Sequence, residues 1–164
     1  MTSTETSLRD TGTAPQDAIE LLRADMSQLD GEFARYREAS HDDDPERRSG
    51  KAAVARELLQ RTRAYLGLEQ AFVRAIGGTV ADATLLREMH AGQVEALELV
   101  VAIERSDPAD PQYDAAIRVL GEFLLRHADA EREGMFLHVT ASRVNLFDLG
   151  QQLRQKRASL VATP

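Results

Sequence analysis

Four long stretches of this chain place apolar residues at alternating steps of three and four, and none alternates apolar with polar residues at steps of two. Steps of three and four put one apolar stripe on a helix and give a strand no face to bury. The first stripe is Ile19, Leu22, Met26, Leu29, Phe33 and Tyr36, on a helix opened by Thr13 and Pro15. The second is Val54, Leu58, Arg61, Tyr65, Leu68, Phe72 and Ala75. The third is Leu86, His90, Val94, Leu97, Val101 and Glu104, and the fourth is Tyr113, Ile117, Leu120, Leu124, His127, Glu131 and Met135. Helix breakers separate them. His41-Asp42-Asp43-Asp44-Pro45 offers Asp44 as a cap and Pro45 as a first helical residue, and Asp110-Pro111 repeats the device. Gly77-Gly78 stops the second helix, and Thr79 with Asp82 has the spacing of a capping box for the third.

Short loops between four long helices predict an all-α fold, an up-down-up-down four-helix bundle over residues 13–140. Residues 1–12 are expected to form a disordered segment, and residues 141–164 an amphipathic helical tail. In the tail Asn145 and Asp148 cap a short helix bearing Leu146, Leu149, Leu153 and Leu160. The tail is expected to cover one end of the bundle or a partner, a homodimer included.

Composition narrows the function. A chain of 164 residues, 43% hydrophobic, supports one buried core. The absence of cysteine excludes disulfides, thiolate metal sites, iron–sulfur clusters and thiol catalysis. A net charge of −7 without a basic run argues against nucleic-acid binding. No apolar run is long enough for a bilayer, and the first residues lack the apolar stretch of a secretory leader, so no membrane association and a cytoplasmic location are expected. The preference for arginine over lysine, with abundant alanine, suggests a bacterial origin. No nucleophile elbow, phosphate-binding glycine loop or dinucleotide fingerprint is present.

Three polar residues interrupt the stripes where a bundle calls for Leu or Val: His90, His127 and Glu131. His127 and Glu131 are four residues apart and share a helix face. Buried without partners, an imidazole and a carboxylate would cost several kcal/mol, so each other, water, a metal or a ligand must satisfy them. A structural hydrogen-bond cluster is the plain alternative. His41 among loop aspartates and His138 beyond the fourth helix read as surface residues.

The segments DAIELLRAD, EMHAGQVEAL and DPADPQYDAAIRVLGEFLLRHADAEREGMF, set on four helices, resemble the hemerythrin-like HHE cation-binding family over residues 14–137. The family places one His on helix one, a His-x-x-x-Glu on helix two, one His on helix three and a His-x-x-x-Glu on helix four, and these hold a non-haem di-iron centre. The resemblance matches His127 and Glu131 to the helix-four pair, followed by Gly134-Met135-Phe136, and His90 to the lone His of helix three. Asp25 matches the acidic residue before the helix-one ligand, whose own position holds Met26. With Phe72 setting the register, the helix-two positions hold Ala64 and Leu68, and Glu69 enters only by a rotation of about 100°. Half of the ligand set is therefore replaced.

His90, His127 and Glu131 cannot build a di-iron centre, but two His and one carboxylate suit a single iron or zinc. The resemblance then implies a reduced metal site handling dioxygen or nitric oxide. A second expectation is a metal-independent biosynthetic enzyme of isomerase or cyclase type. In it Met26, Ala64 and Leu68 line a hollow for an apolar organic ligand, and His127, Glu131 and His90 are the candidate catalytic acid–base residues. A third is a metal-free interaction or sensory module using the tail.

Overall fold

The computed structural model describes residues 16–41 and 45–161, with side chains from residue 50 onward in the second stretch. The expectations for residues 1–12, for Thr13 and Pro15, and for the cap at Asp44 lie outside the described residues. Six helices follow in order: α1 (Ala18–Ser40), α2 (Pro45–Ile76), α3 (Ala83–Glu104), α4 (Pro111–Glu133), α5 (Met135–Thr140) and α6 (Leu146–Val161). Among the described residues there is no strand, as the period analysis predicts. Among the described residues no helix is long and apolar enough to cross a membrane.

Side-chain caps fix the starts of four of these helices. Asp17 and Glu20 form a capping box at the start of α1, so the helix opens there. Asp82 alone caps α3, accepting from the backbone N–H groups of Thr84 and Leu85, so Thr79 is not the cap. Asp110 caps α4 with Pro111 behind it, as expected. Asn145 accepts from the N–H groups of Phe147 and Asp148 at the start of α6, again as expected.

The long helices pack in a ring of neighbours, α1 on α2, α2 on α3, α3 on α4 and α4 on α1. The stripes read on α1 and α4 are the buried faces of those helices. At one end Tyr36 donates to Asp114 Oδ1 at 2.6 Å and Lys51 Nζ reaches the same oxygen at 2.7 Å, which ties α1, α2 and α4 together. Burial pushes the Asp114 carboxyl up, but the two hydrogen bonds outweigh it and hold it below the usual carboxylate range.

The stripe on α3 is displaced by one residue. Its buried side is Met89, Gln93, Ala96, Val100 and Ile103, whereas His90 and Glu104 are exposed and Val94 is 40% exposed. Gln93 interrupts the inner side, and Leu86, Val94, Leu97 and Val101 lie beside it, so hydrophobicity alone does not separate the two adjacent lines.

The described part of the tail holds one helix, α6, as expected, the short α5 coming before it, but α6 runs beside α1 and α2 instead of across an end. Arg154 donates to the Gln16 carbonyl, Arg157 pairs with Asp25 at 2.7 Å two turns further along, and Leu160 lies over Gly67. Leu149 and Leu153 are buried there, while Phe147 and Val161 stay exposed. The close seat requires Gly150, because a Cβ at that position would lie 2.6 Å from the Gln16 carbonyl oxygen and 2.9 Å from the Asp17 carbonyl carbon. Backbone cannot yield as a side chain can. Gly150→Val is therefore expected to lower stability by about 1–3 kcal/mol, read as a fall in urea midpoint. An unchanged midpoint would contradict the seating of α6.

Candidate functional site

Two turns of α2 carry the inner polar residues. Tyr65, Leu66, Leu68 and Glu69 are all buried, because α2 is flanked by α1, α3 and α6 at once. A helix covered on several sides shows no single stripe, and its inward residues cannot be assigned by periodicity. Glu69 faces α3 and α4, with Tyr65 one turn before it.

Glu69, fully buried, is the centre of the cluster. Its Oε1 lies 2.5 Å from His127 Nε2 on α4 and accepts from Gln93 Nε2 on α3 at 3.1 Å. The His127 ring lies parallel to that of Phe123 one turn earlier, with centroids 6.3 Å apart. On its other side stands Gly92, where any Cβ would overlap the imidazole. His127 is thus held by its hydrogen bond and by the bare backbone of α3. Removing one partner of such a buried pair leaves the other without compensation, at a cost of about 3–5 kcal/mol.

Glu131 is 1% exposed, one turn beyond His127. Burial, and then the charge of Glu69, raises its carboxyl well above the ordinary carboxylate range. Burial likewise raises the Tyr65 phenol, with the charges of Glu131 and Glu69 adding to the effect. Glu69 Oε2 and Glu131 Oε1 are buried with no hydrogen-bond partner among the described residues. A void of about 10 Å³ beside Glu131 is walled by Met26, Tyr65, Ala128 and Phe136, among others, and has room for no more than a water or an ion.

His90 is exposed on α3 and does not join His127 and Glu131, so the three-residue metal set read from the sequence is not assembled. Its place toward the core is taken by Gln93, three residues on. Among the described residues no group of three or more His, Asp or Glu side chains is arranged to hold a metal ion. Nor do Met26, Ala64 and Leu68 line one hollow. Met26 borders the small void, Leu68 is fully buried, and Ala64 faces a separate cleft. His41 and His138 are exposed as expected, donating from Nδ1 to the carbonyls of Arg37 and Gly134.

That cleft, of about 440 Å³, lies where α6 meets α1 and α2. Its walls include Asp25, Leu29 and Glu32 from α1, Arg61, Ala64 and Tyr65 from α2, and Arg154, Arg157, Ala158 and Val161 from α6. Tyr65 borders both the cleft and the void beside Glu131, so one buried ring separates a ligand-sized space from the acid cluster. The cleft was not foreseen, since it depends on where α6 docks.

No family profile, no curated protein and no solved structure matches the chain.

The raised Glu131 carboxyl fixes the sign of one pH dependence. The folded state keeps a proton that the unfolded chain releases above its ordinary value of 4.5, so this stabilisation is complete below that pH and is lost as pH rises through the folded value. Urea midpoints of the native chain should fall as pH rises above about 4.5 toward neutrality, with a slope of up to about 1.4 kcal/mol per pH unit. Glu131→Gln should flatten that fall, and an equal slope in both proteins would show that Glu131 ionises freely. His127→Ala should cost about 3–5 kcal/mol at neutral pH. A loss below about 1 kcal/mol would show that Glu69 does not depend on it.

Proposed function

We propose that this chain is a hemerythrin-like, up-down-up-down four-helix bundle that has become a metal-independent small-molecule-binding module, with its ligand site in the cleft between α1, α2 and α6. The fold assignment is supported by Met26, Tyr65, Glu69, Gln93, His127 and Glu131, buried residues supplied by all four long helices. They occupy an inner ring like the one that carries ligands in that family, with Met, Tyr and Gln standing where histidines would be. The reading of the site rests on one observation. The remaining imidazole is consumed by Glu69 at 2.5 Å, and the space of ligand size lies outside the ring.

An organic substrate does not fit at the inner cluster, where the adjacent void is about 10 Å³. The cleft, at about 440 Å³, is within the ordinary range for small-molecule sites. Tyr65 forms its inner wall, so an occupant would touch the ring that shields Glu131 from solvent. The cluster then acts as a rigid support for the cleft, with the Glu131 carboxyl held well above the ordinary carboxylate range by burial and His127 fixed by Glu69.

A second reading is favoured by the two unpartnered oxygens, Glu69 Oε2 and Glu131 Oε1. A single divalent iron or zinc ion could be held by those carboxylates with His127, supplying Lewis acidity there. As the side chains stand they do not form a three-ligand set, so the donor arrangement fits this reading less well.

Amide NMR of the full chain with a panel of anionic, neutral and cationic amphiphiles separates the readings. Saturable shifts confined to α1, α2 and α6, abolished by Ala158→Trp at the cleft mouth, are expected. Shifts centred on Glu69 and His127 with one equivalent of zinc, together with no response to any amphiphile, would overturn the proposal in favour of the cation.

A further inference from the structure

The cleft walls identify the kind of molecule it takes, an inference that rests on the cleft being the ligand site. Three arginines and two acidic residues line it, so a protein of net charge −7 presents here a locally positive recess. Each guanidinium is held by a partner at its edge. Arg61 pairs with Glu32 at 2.8 Å, Arg157 pairs with Asp25 at 2.7 Å, and Arg154 donates to the Gln16 carbonyl at 2.7 Å. Those bonds use one nitrogen of Arg154 and one of Arg157, and a guanidinium carries five N–H donors in a planar fork. Arginines already fixed in place lose little further freedom when they bind an anion, and their spare donors suit a planar carboxylate. Between them the surface is apolar: Leu29, Ala64, Ala158 and Val161. Small Ala64 and Ala158 leave the space open, and Val161 at the rim is 72% exposed.

We infer that the cleft binds a small organic anion with an apolar body, its carboxylate on Arg154 and Arg157 and its apolar part on Leu29 and Ala158. The negative charge of the whole chain would disfavour such a ligand, so selection has to come from the recess itself. An amphipathic cation would meet the guanidiniums instead of Asp25 and Glu32, which are already engaged by Arg157 and Arg61. The other groove of comparable size, about 410 Å³ along Val94, Leu97 and Val101 of α3, has only Glu98 and Arg105 as charged lining and offers no such pair.

Decanoate, decanol and decylamine, titrated calorimetrically into the full chain, test the charge of the ligand directly. Decanoate is expected to bind one to one, at least tenfold more tightly than decanol, with no heat from decylamine. Arg154→Gln with Arg157→Gln should remove the preference for decanoate and leave decanol binding in place. Ala158→Trp should abolish both. Equal binding of all three amphiphiles, lost in Ala158→Trp, would overturn the anion assignment while keeping the cleft as the site. No binding of any of the three, in a protein whose circular dichroism shows it folded, would overturn the cleft itself.

Discussion

Glu69 lies fully buried at the centre of a helical bundle, where an unpaired carboxylate would be expelled or protonated. The short bond to His127 and the amide of Gln93 keep it there, and in doing so they tie α2 to α4 and α3. The rest of the interior follows from this arrangement. Gly92 is needed because the imidazole must pass against α3, and Glu131 is left as a second acid with no cation of its own. Two carboxylates near one imidazole cannot both be charged cheaply away from water, and burial beside Glu69 raises the Glu131 carboxyl well above its ordinary range. The resulting core is polar but sealed.

The sealed core moves the candidate binding function outward. A helical bundle can enclose space in its interior, but here Met26, Tyr65, Phe72 and Phe136 are buried and the void beside Glu131 is about 10 Å³. Phe136 from α5 meets Phe72 edge-on at 5.9 Å, and Arg23 lies over its other side. What opens instead is the junction made by α6. The same helix that completes the core with Leu149 and Leu153 brings Arg154 and Arg157 to one side of α1 and α2. Tyr65 is the one residue that belongs to both places, a wall of the cleft and a neighbour of the acid cluster.

How much of this was legible in the sequence differed from helix to helix, for physical reasons. On α1 and α4 one face is buried and the other is wet, so Ile19 through Tyr36 and Tyr113 through Glu131 identify themselves, His127 among them. On α2 burial on several sides erases the stripe, and the register set by Phe72 points to Ala64 and Leu68 rather than Glu69. On α3 Val94, Val101 and the partly buried Leu97 lie one residue away from an inward side that Gln93 interrupts, and the line they suggest places His90 on the wrong face. A buried glutamine is a poor signal in a hydrophobicity pattern, and only the partner it meets on α2 makes it intelligible. The docking of α6 depends on contacts far apart in the chain, such as Gly150 against Gln16, that no local pattern encodes.

The central claim is that the inner imidazole is bound to a carboxylate and unavailable to a metal. Proton NMR of the His127 ring, followed while one equivalent of ferrous iron or zinc is added, tests it most directly. The account predicts a strongly downfield Nε2–H resonance that vanishes in Glu69→Gln and is unmoved by either ion. Loss or displacement of that resonance at one equivalent of metal, with the protein still folded, would contradict it.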